Sequence, residues 1–226
     1  MIVALKARPS KTDIIYHELR LDIVTGKIRP GDPIDKLQLA KKFGTSRNPI
    51  GSAVDRLAYD GLIDVRPQHG SFVSRLNAKK IFDRFFVRRA IETQLVAEAS
   101  QANDAGMLKQ LDLNIRHQEV ALDAGDLEDF YLLDIRFHQI IHAVADVQEA
   151  INILEQIQAY HGRIRRLLLP RPGRTQNTLL EHQRIRDALA AGDRDMAMEA
   201  TMGHINSVES YIRDLIVARP ELFEDS

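Results

Sequence analysis

The 226-residue chain contains no cysteine, so it has no disulfide framework and no thiol chemistry, and a reducing compartment suits it. No apolar run approaches the roughly 18 residues that a membrane helix needs. Residues Met1–Pro9 (MIVALKARP) have too short an apolar part for a signal peptide. Neither sign of charge dominates, since 31 Lys and Arg stand against 32 Asp and Glu. These absences argue against a secreted disulfide scaffold and a membrane protein, and the expected location is cytoplasmic. What is present, 44% hydrophobic and 28% charged residues, is the composition of a globular protein able to bury cores. The length suits two domains, on a prior of about 100–200 residues each.

The near-zero net charge hides an asymmetry. Residues 1–77 carry 13 Lys and Arg against 8 Asp and Glu, leaving 18 against 24 for residues 78–226. A basic N-terminal part joined to an acidic C-terminal part suits a chain of which one segment meets phosphate.

Residues 35–60, DKLQLAKKFGTSRNPIGSAVDRLAYD, carry the first motif. Two helical patterns, Asp35–Phe43 and Asn48–Asp60, flank the connection Gly44-Thr45-Ser46-Arg47. Ala40 before Gly44, and Ile50 and Ala53 after it, have the spacing of a helix-turn-helix. Ala40 must be small where the second helix crosses, and Gly44 takes the positive φ of a sharp turn. Leu39, Ile50, Ala53 and Leu57 supply the apolar faces that join the pair. A second helix laid in the major groove would carry Ser46, Arg47 and Asn48 toward base edges and phosphates. Any αα-hairpin with a glycine turn shares this spacing, so a purely structural helix pair is the alternative.

The flanking segments are in winged-helix order. Met1–Lys11 has no pattern beyond its basic residues and is expected to be an arm. Asp13–Thr25 repeats Ile15, Leu19 and Ile23 at helical spacing and stops at Gly26. Leu62–Arg66 and Ser71–Ser74 alternate as strands, with Pro67-Gln68-His69-Gly70 as the tip between them. His69 and Gly70 are small enough to enter a minor groove. Residues 12–75 thereby resemble the N-terminal domain of GntR-superfamily transcriptional regulators, on the segments TGKIRPGDPI, LAKKFGTSRNPI, DRLAYDGLIDV and HGSFV. The resemblance implies a regulator of double-stranded DNA, with Arg47 on operator bases and His69 and Gly70 in the minor groove. Two departures stand out. Gly51-Ser52 replaces the Arg-Glu usual in the recognition helix, removing a base contact that supplies roughly 1–3 kcal/mol of discrimination. Lys36 stands where the family often has Glu, adding positive charge near the DNA backbone. Thr45, Ser46 and Asn48 complete the expected DNA-facing set.

From Asn77 onward the pattern is helical, with glycine and proline serving mainly as punctuation. Six helices are predicted at about Ala78–Ser100, Asp104–Ala124, Asp126–Ala145, Val147–Leu169, Thr178–Ala191 and Asp193–Val217. Asn103-Asp104, Asp126 and Asp193 sit at N-cap positions. The predicted fold is mainly α. An N-terminal winged helix-turn-helix, the DNA-binding domain, occupies residues 1–77. A C-terminal antiparallel six-helix bundle, for effector binding and dimerisation, occupies residues 78–226.

Within the bundle, DLEDFYLLDIRFHQIIHAVA is apolar over most of its surface. Asp134 and His138, four residues apart, share the face of Phe130, Leu133, Phe137 and Ile141, with His142 at its rim. His182 shares a face with Ile185 and Leu189, and His204 with Ala197, Ala200, Val208, Tyr211 and Leu215. One carboxylate and three imidazoles on three helices thus point inward, where polar groups need partners. A divalent cation such as Zn²⁺, Ni²⁺ or Mn²⁺ would satisfy all four with mixed N and O ligation. The alternatives are a metal-free dimerisation module with mutually bonded histidines, or a metal-dependent enzyme domain. No further general base with the right setting is evident, and the expectation is a protein that is not an enzyme.

Residues 80–217 are similar to the FCD effector domain of the FadR-like branch. Its pattern of Asp-x-x-x-His, a His in Glu-His-x-x-Ile, and a last-helix His matches Asp134, His138, His182 and His204. The resemblance implies that these four hold a metal whose coordination a small carboxylate effector completes. It also places Arg88, in Val87–Glu92, against the effector; the alternative for Arg88 is a surface pair with Glu92 at i+4. The inward member of the basic run His161–Arg166 could meet an anion too, although such runs are more often solvated. The expected assembly is a homodimer on a palindromic operator.

Overall fold

The computed structural model describes residues 10–102 and 104–224. The chain divides into two compact units, Met1–Leu76 and Asn77–Ser226. Most of the arm expected over Met1–Lys11 lies outside the described residues; its last two, Ser10 and Lys11, begin the first helix instead.

In the first unit, α1 (Lys11–Val24) opens with a capping box. The Ser10 hydroxyl accepts from the Asp13 amide and the Asp13 carboxylate accepts from the Ser10 amide, each at 3.1 Å. α2 (Lys36–Lys42) starts at Asp35, whose carboxylate accepts from the Leu37 and Gln38 amides. Gly44 has φ 56°, the left-handed conformation that turns the chain into α3 (Arg47–Tyr59). Ile15, Leu19 and Ile23 of α1 meet Ile50, Ala53, Val54 and Leu57 of α3 in one core, with Leu39, Ala40 and Phe43 packed against it. Strands β1 (Ile63–Arg66) and β2 (Gly70–Val73) close that core from the far side. They pair antiparallel, Ile63 opposite Val73 and Arg66 opposite Gly70, so Gly70 joins the ladder and Gln68, at φ 63°, turns the tip.

The second unit contains α4 (Ala78–Gln101), α5 (Ala105–Asp123), α6 (Leu127–Ala145), α7 (Gln148–Leu168), α8 (Arg174–Ala191) and α9 (Arg194–Ala218). Asp104, Asp126 and Asp193 cap as expected, accepting from the amides of Met107, Asp129 and Met196 at 3.0, 2.9 and 2.9 Å. Asn103 lies outside the described residues. α8 begins four residues before the expected Thr178, because Gly173 at φ 76° ends the turn and the helix resumes at once. α6 packs against α4, α5 and α7, and its Phe130 and Phe137 are fully buried. Truncating a buried Phe to Ala costs about 3–5 kcal/mol, so the helix that carries Asp134 and His138 is firmly anchored. No helix among the described residues is long and apolar enough to cross a membrane.

Candidate functional site

The first unit presents the expected DNA-facing residues at the start of α3 and on the hairpin. Ser46, Arg47 and Asn48 are exposed, as are His69 and Gly70; Lys36 and Thr45 are half-buried. Ser46 is the N-cap residue of α3 yet makes no side-chain cap hydrogen bond, which leaves its hydroxyl for an outside partner. At Gly51 an added Cβ would meet no atom within 4 Å, so packing does not demand the glycine. Arg56, by contrast, is taken up internally, bonded to Asp13 at 2.7 Å and lying over the Tyr16 ring.

The second unit brings Asp134, His138, His182 and His204 together. Their ligand atoms lie within 4.8 Å of one another, and all four side chains are buried. Asp134 Oδ1 is 3.5 Å from His182 Nε2 and 3.9 Å from His138 Nε2. The other ring nitrogens are occupied. His182 Nδ1 meets Gln118 Oε1 at 2.9 Å, His204 Nδ1 meets Glu181 Oε2 at 2.8 Å, and His138 Nδ1 meets Glu92 Oε2 at 3.2 Å. Those oxygens accept, so each Nδ1 donates and each Nε2 is left with its lone pair. The three Nε2 atoms are buried with no hydrogen-bond partner. Orphaned buried acceptors are costly, and three of them converging beside a carboxylate fit a divalent cation with its usual outer ring of hydrogen bonds.

The electrostatics agree. Burial, aided by neighbouring imidazoles, pushes His182 and His204 well below the ordinary histidine range, so both are neutral and able to ligate. Burial alone would raise the Asp134 carboxyl, but the Arg165 guanidinium and the surrounding imidazoles hold it below its usual range. Glu92 is held low in the same way, by Arg88 and His138 against its own burial.

Around the four lies a ring that the sequence reading did not single out as site residues: Glu92, Gln118, Glu181 and Arg165. Glu92 carried a local sign, four residues after Arg88, and Glu181 directly precedes His182; Gln118 carried none. Arg88 is buried rather than on the surface. Its Nε donates to Glu92 at 2.5 Å, and its Nη1 has no hydrogen-bond partner. Arg165, from the basic run His161–Arg166, bonds Asp134 Oδ2, the oxygen not facing His138 and His182. His142, expected at the rim, is buried 4.0 Å from Glu92, and burial pushes it down to about 4. A cavity of about 170 Å³ opens between α4, α6 and α7, bounded by Arg88, Glu92, His138, His142, Leu154 and Arg165.

Comparison with known proteins assigns both units. Residues 11–73 match the bacterial regulatory proteins of the gntR family, and residues 83–207 match the FCD domain. Over 211 residues the chain is 31% identical to the HTH-type transcriptional repressor RspR of Escherichia coli (strain K12), covering 93% of this chain and 92% of that one. Among solved structures, E. coli McbR/YncC shares the fold with a TM-score of 0.77 at 18% identity, over 92% of this chain and 99% of that one. A GntR transcriptional regulator from Rhodococcus sp. RHA1 does so at 0.76 and 20%, over 90% and 98%. A winged helix-turn-helix followed by this helical unit accounts for nearly the whole chain, which belongs to the gntR family of bacterial regulatory proteins, with an FCD domain as its second part.

Proposed function

We propose that the chain is a ligand-responsive transcriptional regulator that binds a palindromic operator as a homodimer and senses a small organic acid at a divalent metal. Asp134, His138, His182 and His204 would hold the ion, which when bound supplies a Lewis-acidic position for a carboxylate oxygen. The observation that carries the reading is the three orphaned Nε2 atoms, each ring fixed by an acceptor on its Nδ1. Arg88 and Arg165 on the adjoining cavity wall suit an anion. Lys36, Thr45, Ser46, Arg47, Asn48, His69 and Gly70 form the DNA-facing set. A ligand that favours one arrangement of the dimer shifts the population between DNA-competent and incompetent states. Two half-sites about one helical turn apart are the geometric expectation. Acting on DNA, the protein works in the cytoplasm. Metal-dependent turnover has no support from the relatives, which are named as transcriptional regulators and repressors.

The test is melting of the full-length protein, stripped with chelator or reloaded with Zn²⁺, against a panel of small carboxylates. A ligand that binds only the folded state raises the midpoint. Stabilisation is expected only with metal present, and the same ligand should alter DNA affinity. Equal stabilisation without metal would contradict the proposal.

A further inference from the structure

We propose that the ligand of the second unit carries two negative charges, as a small dicarboxylate does; the inference rests on the metal-dependent sensing proposed above. The buried charges beside the cluster come in cancelling pairs. Arg165 bonds Asp134 Oδ2. Arg88 bonds Glu92 through Nε and Nη2 at 2.5 and 3.4 Å. The four side chains are 3%, 6%, 11% and 8% exposed for Arg88, Glu92, Arg165 and Asp134. Imidazoles whose Nε2 lone pairs face a cation are neutral. A divalent ion therefore adds two positive charges that these buried pairs do not compensate. Asp134 alone would have halved that surplus, but Arg165 already neutralises it.

Uncompensated charge in a low-dielectric interior is costly, and a binding partner of opposite charge relieves it. A monocarboxylate leaves one positive charge over; a dianion leaves none. The cavity also offers a second anchor. Arg88 lines it, and its buried Nη1 has no hydrogen-bond partner. One carboxylate beside His138 and Arg165 and another on Arg88 Nη1 would use both. The cavity of about 170 Å³ is small, below the roughly 300–1,000 Å³ of drug-sized sites. Its remaining wall includes Ile151, Leu154 and Ile157, which suits a short carbon chain between the two charges.

The experiment titrates Zn²⁺-loaded full-length protein calorimetrically with acetate, propionate and butyrate, and with malonate, succinate and glutarate, at fixed ionic strength. The best dianion should bind at least ~10-fold tighter than the best monoanion, as charge-assisted bonding at a second anchor predicts. Arg88→Gln should reduce that preference to within ~3-fold at unchanged zinc stoichiometry, because the second anchor is lost. Arg88→Lys, which keeps Glu92 compensated, should retain part of it. Equal affinity for the two classes in the unmodified protein, or a preference undiminished in Arg88→Gln, overturns the inference. If Arg88→Gln does not fold, the comparison in the unmodified protein decides alone. Carboxylates that bind with metal but without charge preference sink this inference only, whereas a protein that takes up no zinc sinks the proposed function with it.

Discussion

At His182 the two ring nitrogens have separate tasks. Nε2 faces Asp134, while Nδ1 is fixed by Gln118, whose amide donates to Asn114 Oδ1 at 2.6 Å. Asn114 in turn donates to the Leu133 carbonyl at 3.1 Å, so two residues of α5 set the rotation of an imidazole on α8. Phe137 stacks on that ring with centroids 4.0 Å apart. Removing such an outer hydrogen-bond partner lowers metal affinity about 10–100-fold. Gln118→Ala should do so in a zinc titration with helix content preserved; unchanged affinity would mean that packing on Phe137 alone orients the ring. Nothing in the spacing of α5 marks Gln118, since an amide four residues from Asn114 reads as an ordinary side-chain pair on an amphipathic helix. Asp134 and His138 were legible because two polar residues at i, i+4 interrupt a mostly apolar helix, where they cannot be solvated.

α3 shows what a single element reveals and conceals. Its apolar face, Ile50, Ala53, Val54 and Leu57, follows from helical spacing and is the face that is buried. Gly51 breaks the pattern of a good helix former without any packing reason, at about 0.5–1 kcal/mol relative to Ala. Gly51→Ala should therefore raise stability by that amount in urea unfolding, and a destabilised variant would point to a steric role for the bare backbone. Arg47 is exposed in the first turn of α3 and is one of the residues proposed above to face DNA. Arg47→Ala is expected to weaken binding to the protein's own operator far more than binding to random duplex, because base contacts carry the discrimination and phosphate contacts do not. Equal losses on both would remove its base-reading role. α8 is the counter-example for legibility. Arg174–Asn177 is polar and follows Pro170–Gly173, so it reads as loop; only the left-handed Gly173 lets the helix start there.

Across the whole chain, buried neutral histidines make folding stability depend on pH. Burial holds His182 and His204 well below 6.5, and His142 down to about 4. The unfolded chain therefore binds protons first as pH falls, and stability rises with pH in this range. The contribution is complete above about 6.5, the unfolded value, and is lost progressively as pH falls toward the folded one, about 4 for His142. For His142 alone the loss between pH 7.5 and 5.5 is on the order of 1.4 kcal/mol. Chelator-treated protein should melt lower at pH 5.5 than at 7.5, and a flat profile would mean that these rings are not buried neutral. Division into two units was readable from the pattern: the chain divides between Leu76 and Asn77, where strand-like alternation gives way to helical spacing. Charge does not mark the place, because the basic surplus runs on through Lys79, Lys80, Arg84, Arg88 and Arg89. The outer ring of Glu92, Gln118, Glu181 and Arg165 was not readable, since it exists around the four candidate ligands only once six helices converge. The four-residue metal site is tested by the metal content of protein purified without an affinity tag, beside its His182→Ala variant. About one divalent ion per chain is expected after equilibration with Zn²⁺, lost in His182→Ala while both remain helical by circular dichroism. Stoichiometric metal in the variant, or none in the parent, would contradict that site.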